Sequence, residues 1–170
     1  MLNQFIGGWQ WNGIVTAQGG FPLTPAVGFN VTGTGDNNIT DVPSWNPNFK
    51  GPVILGKRDQ WFDPRAFVMP TAGTFGNVSR GALRGPGLVD FDTSFFKKIK
   101  ISERFSAQLR AEGFNLLNHS NFFYPNSVVF QGNSSLYSPD PARQPYSDTV
   151  GQITAAATSR QIQLALKLMF

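Results

Sequence analysis

From Gln161 to Phe170, Ile162, Leu164, Leu166, Leu168 and Phe170 alternate without a break against Gln161, Gln163, Ala165, Lys167 and Met169. Successive side chains of an extended strand point to opposite faces, so this period of two predicts a strand with one wholly apolar face. Such a face suits a strand that meets lipid, and it equally suits a soluble sandwich strand turned to a core.

Three further runs share the period. From Leu88 to Ile101, Val89, Phe91, Thr93, Phe95, Ile99 and Ile101 fall on one face and Asp90, Asp92, Ser94, Lys98 and Lys100 on the other, with Phe96 and Lys97 breaking the pattern. At about 3.3 Å per residue this run extends roughly 46 Å, or about 33 Å along a membrane normal when tilted near 45°, which clears an apolar band of about 25 Å. After a tight link at Ser102-Glu103, Phe105, Ala107, Leu109 and Ala111 alternate with Arg104, Ser106, Gln108, Arg110 and Glu112, which reads as a hairpin. An earlier run sets Phe5, Trp9, Trp11, Val15 and Ala17 against Gln10, Asn12, Thr16 and Gln18, weakened by Gly7, Gly8 and Gly13. The four strands are expected near 4–19, 87–101, 103–118 and 152–170, in antiparallel order.

The segments 19–87 and 118–150 between them hold most of the prolines and read as loops. The connections thus run long, short, long, the asymmetry of a transmembrane barrel with long outer loops and short inner turns. Composition agrees with an all-β chain. Charged residues make up only 14% and aromatics another 14%, against the pattern of disorder, while 18 Gly and 12 Pro interrupt any long helix. No apolar run approaches the roughly 20 residues of a spanning helix. The net charge of +4 is scattered along the chain, so a nucleic-acid partner is not expected. The absence of cysteine excludes disulfides and thiolate metal sites.

Every strand has one nearly uncharged face and one bearing Asp, Glu, Lys, Arg or Gln. A charge turned to lipid costs about 2 to 4 kcal/mol at the bilayer midplane, whereas a wet lumen tolerates it. Backbone groups in lipid must also be paired, so the sheet has to close, and four strands are too few where the smallest barrels use eight. Further strands are therefore expected, either upstream in a longer chain or from other copies. The lack of a signal sequence at Met1-Leu2-Asn3-Gln4 points the same way, to an exported protein with sequence before Met1. Trp9, Trp11, Phe105 and Phe170 near the strand ends fit interfacial girdles.

The stretch Arg160-Gln161-Ile162-Gln163-Leu164-Ala165-Leu166-Lys167-Leu168-Met169-Phe170 resembles the last strand of TonB-dependent outer-membrane receptors. Three more stretches strengthen the likeness: Gly8-Trp9-Gln10-Trp11-Asn12-Gly13-Ile14 running into Gly20-Phe21-Pro22-Leu23-Thr24-Pro25; Gly73-Thr74-Phe75-Gly76-Asn77 with Arg84-Gly85-Pro86-Gly87; and Arg110-Ala111-Glu112-Gly113-Phe114-Asn115-Leu116-Leu117-Asn118-His119. Together they resemble the Oar-like receptors with a carboxypeptidase-regulatory-like domain, and the likeness spans nearly the whole chain. It implies a 22-stranded barrel in the bacterial outer membrane, of which residues 1–170 supply about the last four strands. It also implies a plug, and solute uptake energised through TonB, with TonB engaged only by segments upstream of this chain. By the same resemblance the partners are outer-membrane lipid and the barrel-assembly machinery, which reads a terminal aromatic on an alternating strand. Phe170, with Leu168, Leu166 and Leu164, matches that signal; a lipid-facing anchor is the plainer reading of the same residues.

Asp90, Asp92, Lys98, Lys100, Arg110 and Glu112 share the predicted inner face, either as a wall that a solute or plug touches or as mutually neutralising cross-strand pairs. In the first long loop, Trp45, Phe49, Trp61 and Phe62 could stack on a small solute or glycan, or pack the loop upon itself. No cofactor, metal site or enzymatic activity is expected. The single histidine, His119, cannot supply a multi-histidine metal site, and no G-x-S-x-G elbow provides a nucleophile for it. The alternatives to solute uptake are an outer-membrane adhesion protein that transports nothing and a secreted carbohydrate-binding β-sandwich. Asn-x-Ser/Thr triplets at Asn30, Asn38, Asn77, Asn118 and Asn133 carry no chemical meaning in a bacterial barrel.

Overall fold

The computed structural model describes residues 6–35, 41–131 and 145–170. Phe5, Asn38 and Asn133 lie outside the described residues. In chain order the strands are β1 (Trp9–Gln18), β2 (Pro22–Leu23), β3 (Ala26–Val27), β4 (Ser44–Trp45), β5 (Phe67–Val68), β6 (Leu83–Arg84), β7 (Leu88–Lys100), β8 (Ser106–Phe114), β9 (Val128–Phe130) and β10 (Gln161–Met169), with one 3-10 turn at Pro64–Ala66. No helix among the described residues is long and apolar enough to cross a membrane.

The four long strands form one antiparallel sheet in the order β1-β7-β8-β10, so strands consecutive in this set are neighbours in space and β1 and β10 are the outer edges. The strands are shorter than expected. Gly8 at φ +75° breaks extended structure before Trp9. At its far end β8 stops where Asn115 turns left-handed at φ 47°, a conformation that asparagine tolerates better than most residues. The residues before Gln161 bond elsewhere: Ala157 N donates to Asn121 O at 2.8 Å and Arg160 N to Asn118 Oδ1 at 3.1 Å. The link between β7 and β8 is closed by Ile101 N and Ser102 N donating to Phe105 O, both at 3.0 Å, and by Phe105 N donating to Ser102 Oγ at 3.1 Å.

The segments read as loops form a second compact unit, 19–86 with 122–156. Leu23, Val27, Phe29, Val31, Phe62, Phe67, Met69, Val78 and Leu83 from the first segment share one core with Val129, Phe130 and Val150 from the second. The segments read as long loops thus bury a common core rather than lacking one. β3 pairs in parallel with β9 across the two segments. Asp41 supports this unit from inside, its Oδ2 accepting from Val31 N at 2.5 Å and Thr32 N at 2.8 Å.

Candidate functional site

Register fixes which residues share a face of the sheet. Trp9 pairs with Lys97, Trp11 with Phe95 and Val15 with Phe91; Phe95 pairs with Ala111 and Lys97 with Leu109; these in turn pair with Leu164 and Leu166. The result is a continuous apolar face, on which Trp11, Val15, Leu164, Leu166 and Leu168 are all more than 60% exposed. Apolar exposure on this scale needs an apolar partner. The Thr93 hydroxyl on this face is satisfied locally: Trp11 Nε1 donates to Thr93 Oγ1 at 2.7 Å, and Thr93 Oγ1 donates to Asn12 O at 3.1 Å. Phe105 and Phe170 approach with ring centroids 6.5 Å apart at the turn end. One cation enters this face. Lys97 is 7% exposed, donates from Nζ to Gly7 O at 2.6 Å and lies 4.8 Å from the Trp9 ring centre.

The opposite face carries all six charged residues expected there. Asp90 lies opposite Thr16, Asp92 opposite Ile14, and Glu112 between Ser94 and Gln163. Nearer the turn, Arg110 lies between Phe96 and Ala165, Lys98 opposite Gln108, and Lys100 opposite Ser106. No charge stands directly across from its opposite, so the neutralising cross-strand pairs are not formed in register. The ion pair present is along β8, Arg110 Nε to Glu112 Oε1 at 3.3 Å, because residues two apart on a strand share a face. Arg110 also covers the Phe96 ring at 4.7 Å, which accounts for an aromatic on the polar side.

At the loop end of this face is a cavity of about 260 Å³ lined by Asp90, Asp92, Asn115, Asn121, Thr158 and Gln161 among others. Two asparagines that the alternation did not single out build it. Asn115 N donates to Asp92 Oδ1 at 2.9 Å, and its side-chain amide spans His119 and Thr158. Asn121 pairs with Val89 as a strand would, accepting from its N and donating to its O, both at 2.9 Å. His119 Nδ1 lies 2.9 Å from Asn121 Oδ1. Asp90 Oδ1 is buried with no hydrogen-bond partner among the described residues.

The four candidate aromatics of the first long segment, Trp45, Phe49, Trp61 and Phe62, do not form one exposed platform. Phe62 is completely buried, edge-on to Phe67 at 5.9 Å, and so is closed to any ligand; as a candidate contact it is corrected. Trp61 is half-buried against the core and donates from Nε1 to Arg84 O at 2.7 Å, and Phe49 also packs there. Trp45 stacks on Phe67 at 5.0 Å with its other side exposed. Beside Phe67, Asp63 takes a fork from the Arg65 guanidinium, with Nη2 to Oδ2 at 2.7 Å. That hydrogen-bonded pairing holds the Asp63 carboxyl below its ordinary value and raises Arg65. Tyr146 is pushed up, first by burial and then by the Asp63 charge.

Residues 1–163 match the model of a family described as an outer membrane beta barrel domain. The chain belongs to this family. It is therefore a protein of the bacterial outer membrane, and the apolar face of its sheet is the one suited to lipid. Membership displaces the secreted sandwich. No curated protein and no solved structure matches the chain.

Proposed function

We propose that the chain supplies barrel wall and outer structure to a TonB-dependent, Oar-like receptor that takes up a solute, within a barrel of 22 strands of which these are about the last four. The observation that carries the reading is the sheet itself: four neighbouring strands with a lipid-suited face, entered by Lys97 alone among charged residues, and a charged face, and edges at β1 and β10 that a barrel must pair. In this reading the assembly machinery recognises Phe170, Leu168, Leu166 and Leu164, and TonB acts through segments upstream of the chain. The outer unit meets a small solute or glycan through exposed side chains such as Trp45. The protein performs no catalysis, carries no cofactor and binds no nucleic acid.

A second reading, adhesion without transport, is favoured by one feature. The long segments share a buried core, as a surface-recognition module would require. The two separate experimentally. A coding frame that continues upstream of Met1 into a plug and a TonB-contacting segment, with solute uptake abolished when TonB is deleted, supports the receptor. A signal sequence directly before Met1, or uptake indifferent to TonB, overturns it.

A further inference from the structure

On the charged face, the ionisable side chains are sorted along the strand axis. Asp90, Asp92 and Glu112 occupy the loop half, whereas Arg110, Lys98, Lys100 and Lys167 occupy the turn half. Within β1, β7, β8 and β10 no cation on this face interrupts the acidic half and no acid the basic half, and the two meet at the Arg110–Glu112 ion pair. Lys98 and Lys167 even flank the same residue, Gln108, from opposite sides. A wet wall needs polar residues in no particular order, and a mixed order would gain from cross-strand attraction where this one incurs repulsion. Sorting is relieved by a partner with charges in the complementary order.

The distance from Asp90 to Lys100 is about 33 Å at roughly 3.3 Å per residue. A small solute meets one half only, whereas an extended polypeptide meets both. Phe96 at the midpoint adds apolar area, with Gln10 opposite. We propose that this face docks a polypeptide segment running along the strands, its Lys or Arg side chains at Asp90, Asp92 and Glu112 and its carboxylates at Lys98, Lys100, Arg110 and Lys167. The inference rests on the reading of this face as the barrel interior.

The test uses the protein in detergent-solubilised outer membranes, as single-cysteine variants Thr16→Cys at the acidic level and Gln108→Cys at the basic level. The probe is a synthetic twelve-residue peptide, lysines in one half and aspartates in the other, with one cysteine at its acidic end. Disulfide trapping is expected to be roughly tenfold faster at Gln108→Cys than at Thr16→Cys, the scale of a few exposed ion pairs acting together. The preference should reverse when the peptide cysteine moves to the basic end, and fade in high salt. It should also vanish in a background of Asp90→Lys, Asp92→Lys and Glu112→Lys. Equal trapping at both levels, the same preference with an alternating-charge peptide, or full competition by a lysine–aspartate dipeptide would each overturn the proposal. Brominated lipid separates the two layers of argument. Strong quenching of a fluorophore on Gln108→Cys removes the interior reading and the proposal together, whereas absent quenching with no charge-order preference removes the proposal alone.

Discussion

Lys97 places its ammonium 4.8 Å from the centre of the Trp9 ring, on the one face of the sheet that is otherwise free of charge. The ring and the Gly7 carbonyl replace part of the water the ammonium loses. A lysine near a bilayer interface costs only about 0 to 1 kcal/mol against about 2 to 4 at the midplane, so this pair marks a level near the turn-end interface. Lys97→Met is expected to lower stability by about 1 kcal/mol through the lost donor, and Lys97→Glu by about 2 kcal/mol or more, since a carboxylate repels both the carbonyl and the ring face. The temperature at which the folded, heat-modifiable band disappears should fall in that order. A Lys97→Glu protein as stable as the parent would dismiss the pairing.

Adjacent glycines in the second compact unit make a sharper comparison. A Cβ on Gly20 would lie 1.8 Å from the Gly85 carbonyl oxygen, and Gly85 N already donates to Phe21 O at 2.9 Å, so neither backbone can retreat. A Cβ on Gly19 meets nothing within 4 Å. Gly20→Ala should therefore expose the second unit to limited proteolysis while Gly19→Ala leaves it resistant. Equal resistance of the two variants would contradict the close approach.

The alternation of Leu164, Leu166 and Leu168 against Gln163, Ala165 and Lys167 already contains the faces of β10, because period two leaves the backbone no other way to segregate them. The pairing of β7 with β8 was legible too, from the brevity of the link after Lys100. The swap at Phe96 and Lys97 looked like noise in one dimension; only the register, which brings Arg110 to the first and Trp9 to the second, makes it orderly. The shared core of the second unit was hidden because Val27 and Phe130 are far apart in sequence and meet through a parallel pairing with no local signal. Asn115 and Asn121 were illegible for a similar reason: a polar residue that completes another strand's hydrogen bonds has no periodicity. Asn30, Asn77 and Asn118 likewise spend their side chains on backbone N–H groups, locally where Asn30 Oδ1 accepts from Gly33 N at 2.7 Å and across the chain where Asn77 Oδ1 accepts from Trp45 N at 2.8 Å.

Acid should loosen the second unit through Asp63. Its pKa is lowered in the fold, chiefly by the Arg65 hydrogen bond, so its contribution is fully present above the ordinary carboxylate value of about 3.9 and is lost as pH falls through the lower folded value. Tryptophan fluorescence of the wild type should change in that acidic window. In Asp63→Asn the change attributable to this group should disappear, with stability already reduced at neutral pH. A profile unaltered by the substitution would assign the acid sensitivity to other carboxyls.

Phe170 tests assembly apart from stability. Its ring is 96% exposed and meets Phe105 at 6.5 Å, a tilted contact worth about 0.5 to 1.5 kcal/mol at most. Replacement by Asp should then cost the finished fold little beyond that contact, since the residue follows the last paired position of β10, Met169 opposite Ser106. If the assembly machinery reads the terminal aromatic, Phe170→Asp slows insertion far more than it destabilises the inserted protein, and Phe170→Tyr, which keeps the ring, inserts at the normal rate. Phe105→Ala removes the same ring contact while leaving the terminus intact, so it should lower stability without delaying insertion. Pulse-labelled cells followed for protease-resistant, heat-modifiable protein separate the two quantities. Parallel delays in Phe105→Ala and Phe170→Asp would reduce Phe170 to an anchor, and normal insertion of Phe170→Asp would remove the signal role altogether.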